Sequence, residues 1–243
     1  MEKRLMKVMS MLVMVLMMLG IAYAVTEAQE AHAATNGLVK KGGYIYYYKD
    51  GKRIKNRYAK VKGKWYYFSS KGRGFRSVLN KAGNKAVSKV IDNVIFKKGM
   101  KTRTKLKRCY RYIVKMSYLI EIAPDTTAAK WYYPAAKRMA DNRGGQCYGF
   151  ASLTAACAKA LGYKKVVLHK GKAKRTKKAQ MTEHCWVTVG TKVLDASYDN
   201  SYWYRNGQPD QPVLKFFFKT YAEIKKNPKN FKVTYKNKDL YRL

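Results

Sequence analysis

At 243 residues, with 47% apolar side chains and 21 tyrosines, the chain is long and apolar enough to bury a core, which excludes a disordered polybasic tail. It carries 52 Lys and Arg against 14 Asp and Glu, a formal charge of +38. The longest apolar run lies at the N-terminus with flanks that do not suit a polytopic membrane protein.

That first segment reads as an export signal. Lys3, Arg4 and Lys7 precede an apolar stretch from Val8 to Ala22, and small-x-small cleavage sites follow, ending at Ala24 and at Ala33. Taking residues 1–33 as the signal peptide starts the mature chain at Ala34. The signal holds three basic and three acidic residues, so the mature chain keeps the whole +38. A secreted protein of this charge meets anionic cell-wall polymers or lipid head groups. Nucleic-acid binding rests on charge alone. Four cysteines at 109, 147, 157 and 185 have no tight spacing, so two disulfides and free, partly buried thiols both stay open. There is no C-x-x-C pair, Gly-rich phosphate loop or metal-ligand cluster, and no cofactor is expected.

Residues 36–75 carry two aromatic hairpin patterns, Gly43 to Arg53 and Gly63 to Arg73, at a period of 20. Each is an aromatic strand, a turn at Asp50-Gly51 or Lys71-Gly72, and a basic return strand. The segment resembles the cell-wall-binding (choline- or glucan-binding) repeats of exported Gram-positive proteins. That resemblance implies a wall ligand held by aromatics such as Tyr46, Tyr47, Trp65 and Tyr66. Only two copies occur, and Ile45 stands where the second has Trp65, so a packing spacer is the other reading. Residues 76–94 read as a linker entering a short helix, and residues 95–243 as a second domain.

In that domain Thr102 can cap a helix with apolar positions Leu106, Cys109, Tyr110, Ile113 and Met116. A strand is expected over Tyr118 to Ile122. Asp125 or Thr126 can cap a further helix, broken or restarted at Pro134. After Asn142-Arg143-Gly144-Gly145-Gln146, the residues Cys147, Phe150, Ala151, Thr154, Ala158 and Leu161 make one helical face that stops at Gly162. Cys147 thus lies in a first helical turn, where the helix dipole favours a thiolate and free backbone N–H groups can hold an oxyanion. Cys109 and Cys157 lie inside helices and read as small buried hydrophobes.

A base is needed beside such a nucleophile. With cleavage after Ala33, only His169 and His184 remain. His169 ends a strand and precedes a basic run, Lys170 to Lys178, read as a loop able to hold an acidic substrate or polymer. His184 begins a strand to Val189, and a Gly190-Thr191 turn leads to a return strand through Ser197. Closing on Val189 and Lys192 sets Trp186 opposite Asp195 and His184 opposite Ser197. His184 and Asp195 then become diagonal neighbours on one face, ~7–8 Å apart at the backbone.

The strings Gly-Gly-Gln-Cys147-Tyr-Gly-Phe-Ala, His184-Cys-Trp186 and Leu-Asp195-Ala-Ser resemble, in this order, the transglutaminase-like superfamily of papain-like fold. The resemblance implies an α+β core, a Cys-bearing helix on an antiparallel sheet, with Cys147 as nucleophile, His184 as base and Asp195 as orienter. It implies acyl transfer or hydrolysis on protein or peptide amides. Cys185 stands where a small residue is usual. The rival reading is a catalytically inactive protein held on anionic wall polymers by its basic surface and aromatic hairpins.

Overall fold

The computed structural model describes residues 36–176, 178–226 and 233–243. The expected signal peptide lies outside the described residues. Six short strands come first: β1 (Asn36–Lys41), β2 (Tyr44–Lys49), β3 (Lys52–Arg53), β4 (Arg57–Val61), β5 (Lys64–Phe68) and β6 (Gly74–Arg76). They form one sheet of order β1-β2-β6-β5-β4, with β3 paired to β2. Asp50-Gly51 and Lys62-Gly63 all have positive φ, the backbone that two-residue hairpin turns of type I′ require. Each expected aromatic hairpin therefore gains a strand before it, β1 or β4, and both units join in one sheet.

Alternation along the strands gives this sheet two aromatic faces. Ile45 and Tyr47 share one face with Tyr66 and Phe68, since Ile45 pairs with Gly74 and Gly74 with Phe68. Tyr44, Tyr46, Trp65, Tyr67 and Phe75 take the other, and Tyr44, Tyr67 and Phe75 join the main core. The four candidate wall-ligand aromatics are thus split between the faces, Tyr47 and Tyr66 on one, Tyr46 and the half-exposed Trp65 on the other. They do not converge on one cage.

The sheet is tied to α1 (Lys81–Asn93), which Asn80 caps by accepting from the Gly83 N–H at 2.9 Å. Arg73 Nη1 donates to the carbonyls of Ile91, Asp92 and Val94 at 2.9–3.1 Å, closing the helix C-terminus. Ser70 and the Lys71 N–H both donate to Asp92 Oδ2. The expected short helix is thirteen residues long, and its Val87, Val90 and Ile91 are buried in the same core as the later helices.

Next come α2 (Thr102–Val114), β7 (Ser117–Tyr118), α3 (Tyr132–Asn142), β8 (Gly144–Gly145) and α4 (Cys147–Ala160). The strand expected over residues 118–122 shrinks to β7, and residues 119–125 hold no regular structure. Among the described residues its only strand partner is the two-residue β8, which leaves no ladder for the rest. Asp125 caps no helix. Its carboxylate instead accepts from the Thr127 N–H and hydroxyl, an Asx turn, and α3 opens at Tyr132 with Pro134 tolerated in its first turn. Every residue of α4 except Lys159 is buried, so this helix is apolar all round and forms the centre of the domain. It packs against α1, α2, α3 and the second sheet.

That second sheet runs β12-β11-β10-β9-β13, from β9 (Val166–Lys174), β10 (Thr182–Val189), β11 (Lys192–Leu194), β12 (Phe217–Lys219) and β13 (Thr234–Arg242), all antiparallel. Helices α5 (Ala196–Arg205) and α6 (Tyr221–Lys225) connect its later strands. The described chain is thus α+β, with mixed helices and antiparallel sheets. Much of the basic run expected as a loop is strand: Lys170 to Lys174 belong to β9, with Lys170 to Ala173 paired to both β10 and β13 and Lys174 to β13. Small residues alternate with lysine there, a period of two, and Gly171 and Ala173 sit on the face that Trp186 and Tyr235 cover.

Gly171 is the position where β13 comes closest. A Cβ there would lie 2.1 Å from the Lys236 carbonyl oxygen, beside the irregularity between Asn237 and Asp239. Gly171→Ala should therefore push β13 off β9 and cost about 1–3 kcal/mol, read by denaturant unfolding. An unchanged midpoint would mean that the strand shifts at no cost.

Candidate active site

The Cys147 end is built by glycine. The parallel pairing of β7 with β8 brings Leu119 N–H to the Gly145 carbonyl at 3.0 Å. A Cβ on Gly144 would meet Leu119 and the Ser117 carbonyl within 2.9 Å. Gln146 is the N-cap of α4 and its side chain caps nothing; its Nε2 donates to the Glu121 carbonyl at 2.8 Å. Cys147 is therefore the first helical residue, 5% exposed. Burial raises the Tyr118 pKa, the Cys147 N–H beside its hydroxyl acts the other way, and the Tyr118 ring stacks on Phe150.

His184 comes from β10. Cys185, Val187 and Val189 face the core that α4 fills, whereas His184 and Trp186 face the other way. Pairing with β11 holds only Val187 to Val189, so no strand of that side runs past residues 182–186. The pairing does close on Val189 and Lys192, but it ends at Val187 and Leu194, and the expected pairs 186/195 and 184/197 do not form. Asp195 leaves the strand and caps α5 instead, accepting from the Tyr198 N–H at 3.1 Å. A short acid side chain that can bond its own backbone three residues on competes with the ladder, and here it wins.

The side chains meet nonetheless. His184 Nε2 is 2.7 Å from Asp195 Oδ2, and the Cys147 thiol lies close enough to the same ring to help raise its pKa. Since Nε2 is taken by Asp195, Nδ1 is the nitrogen left for the sulfur. Asp195 is 1% exposed, yet both its oxygens are satisfied. Oδ2 also accepts from the Tyr235 hydroxyl at 2.9 Å, and Oδ1 accepts from Ser197 Oγ at 3.1 Å as well as from Tyr198. The imidazole stacks on Tyr198, 4.1 Å between centroids, with Trp186 stacked 6.0 Å away. Burial pulls the His184 pKa down, but the Asp195 charge, the hydrogen bond to Asp195 and the neighbouring Cys147 thiol outweigh it and push it up to about 10.

Of the residues the sequence singled out, Cys147, His184 and Asp195 come together; His169 does not join them. It is buried, bonded to Asn237 and Thr188, and stacked on Trp186. Among the described residues all four cysteines are free and buried, which is the second of the two readings left open. The neighbouring Cys109 thiol and burial push the Cys157 thiol up, and burial raises Cys185 likewise. Among the described residues no group of three His, Cys, Asp or Glu could hold a metal.

Tyr118, Tyr198 and Tyr235 were missed. Tyr198 follows Asp195 at the spacing of a capped helix, a signal that Asp195 as N-cap would have exposed. Tyr235 lies in a Thr-Tyr-Lys alternation that reads as a strand.

A thiol at a helix start, beside a histidine that a buried carboxylate holds, has the parts of a nucleophile, a base and an orienter. Residues 89–219, more than half of the chain, match the family model of the transglutaminase-like superfamily core, and the chain belongs to that superfamily. Searches of curated proteins and of solved structures each returned no match. The match begins inside α1, and β13, which carries Tyr235, follows it.

Proposed function

We propose that the protein is an exported, wall-associated cysteine enzyme that performs acyl transfer or hydrolysis on protein or peptide amides through Cys147, His184 and Asp195. The observation that carries this reading is the His184 ring held by the Asp195 carboxylate at 2.7 Å beside the thiol of Cys147, the first residue of α4. The Cys147 thiolate attacks the amide carbon while His184 holds the proton. The tetrahedral oxyanion collapses, the C–N bond breaks, and His184 Nδ1 gives its proton to the leaving nitrogen, which departs as ammonia or an amine. The resulting thioester is attacked by an amine or by water. His184 takes that nucleophile's proton, and the C–S bond breaks to regenerate the thiolate. The N–H of Cys147, in the first turn of α4, is the donor assigned to the oxyanion. Asp195 holds the imidazole in orientation and balances its charge.

Mass spectrometry of the protein after reaction with an acyl-donor or thiol-directed probe tests this. Label should sit on Cys147 and be absent from Cys109, Cys157 and Cys185, and Cys147→Ala should remove it. Uniform slow labelling of all four would leave the inactive wall binder as the reading. Export and wall association are supported by the Lys3-to-Ala33 pattern and the +38 charge. Wall-bound protein should be released by 1 M salt, where the Debye length is ~3 Å. Retention in salt that is lost on deleting residues 36–75 would instead assign wall binding to the aromatic sheet.

A further inference from the structure

A cavity of about 780 Å³ opens beside His184, with Tyr118 and Tyr198 in its wall. Four cations line it, Lys115, Lys174, Arg175 and Arg205, against a single carboxylate, Glu183. The two arginines come from different elements, Arg175 just past the end of β9 and Arg205 from the last turn of α5. Arg175 Nη1 donates to Ser201 Oγ at 2.6 Å, which anchors its guanidinium on α5, one turn from Arg205. Among the described residues neither arginine forms an ion pair with a carboxylate. Burial and the like charge of Arg175 both push Arg205 below its ordinary range, as expected of two guanidinium groups sharing one space. The Arg175 charge also reaches Tyr118 and Tyr198, the phenols beside Cys147 and His184.

Two guanidinium groups in one wall, in a lining whose described cations outnumber its carboxylate Glu183, leave a net positive space for an anion, and a guanidinium fork matches a carboxylate in two parallel hydrogen bonds. We propose that this cavity is the acyl-donor subsite and that it selects a peptide amide bearing a carboxylate, gripped by Arg175 and Arg205 while the reacting carbonyl lies at Cys147. The selection rests on the enzyme reading above, but anion binding does not need turnover and is measurable without it.

The test uses the full mature chain carrying Cys147→Ala, so that nothing reacts. N-acetylated Gly-Glu-Gly amide, its Gly-Gln-Gly counterpart and glycerol 1-phosphate are titrated at one fixed ionic strength, read by the fluorescence of Trp203 in the cavity wall. The acidic peptide should bind at least ~10-fold tighter than the neutral one, as charge-assisted hydrogen bonds allow. Arg175→Gln and Arg205→Gln should each lower that ratio, and together bring it near one. Circular dichroism and a melt accompany each variant. Arg205 is exposed, so Arg205→Gln keeps the test intact where Arg175→Gln unfolds. Equal binding of the two peptides, or a preference that survives both substitutions, overturns the proposal. Tighter binding of glycerol 1-phosphate than of the acidic peptide overturns it in favour of a phosphate site. Discrimination without any acyl labelling of Cys147 in the parent chain would remove the enzyme reading and the acyl-donor role while leaving the anion site.

Discussion

His184→Ala should lower acyl transfer by at least ~10³-fold and slow alkylation of Cys147, because the ring lies beside the thiol and is held there by the Asp195 carboxylate. Asp195→Asn should keep the hairpin and the α5 cap, since an asparagine oxygen also caps, yet lose the anion that stabilises imidazolium. Activity should fall by up to ~10⁴-fold with little change in stability relative to that loss. The pH dependence follows from the raised His184 pKa. A histidine whose folded pKa lies above its unfolded value of ~6.5 contributes stability in full below that value. The contribution is lost as pH rises through about 10. Unfolding free energy in urea should therefore drop between pH 7 and 10.5 in the parent and much less in His184→Ala. A parallel drop in both would mean that the imidazolium–carboxylate pair contributes nothing to the fold.

Asp199→Ala should be the most destabilising single change outside the triad. Asp199 is fully buried one turn along α5 from Asp195 and accepts from the Tyr110 hydroxyl at 2.6 Å and from the N–H groups of Lys215 and Phe216. Alanine would leave three donors without this acceptor, two of them buried, and free α5 from α2, at about 3–5 kcal/mol against a total near 5–15. Since α5 begins at Asp195, activity should fall with stability. Burial pushes the Asp199 carboxyl up to about 8, against the lowering by its hydrogen-bond donors. A carboxyl with a folded pKa above its unfolded ~3.9 is destabilising at and above pH 8, and the penalty shrinks as pH falls toward 4. Asp199→Asn keeps the shape and should erase that pH trend. A trend that persists in Asp199→Asn, or a melting temperature unchanged in Asp199→Ala, would show that α5 is held by its apolar face alone.

How far the sequence carried depended on which interactions were local. Cys147 at a helix start follows from Gly144-Gly145 before an unbroken apolar run, and α4 opens at Cys147 as read. The hairpin closing on Val189 and Lys192 follows from Gly190-Thr191. Asp195 shows where local reading fails, since its helix cap defeats strand continuation while its side chain still meets His184. Parity placed it on the correct side for a reason that did not hold. Lys170 to Lys174 failed through charge, which reads as solvated loop until β10 and β13 flank it. The aromatics of the N-terminal sheet were legible as strands, but which face each takes depends on a neighbour outside its own hairpin, as β6 lies between β2 and β5.

The placement of β13 carries a consequence for biosynthesis. β9 and β10 emerge early and can pair as a hairpin, but the hydroxyl of Tyr235 reaches Asp195 only when β13 has docked along β9. A nascent chain ending near residue 219 would hold the entire family segment and all three of Cys147, His184 and Asp195. It would still lack one of the four donors to the carboxylate and the ring that packs over Trp186. The site is thus completed by a donor from β13, outside the matched family segment, so docking of β13 on β9 and the full set of bonds to Asp195 go together.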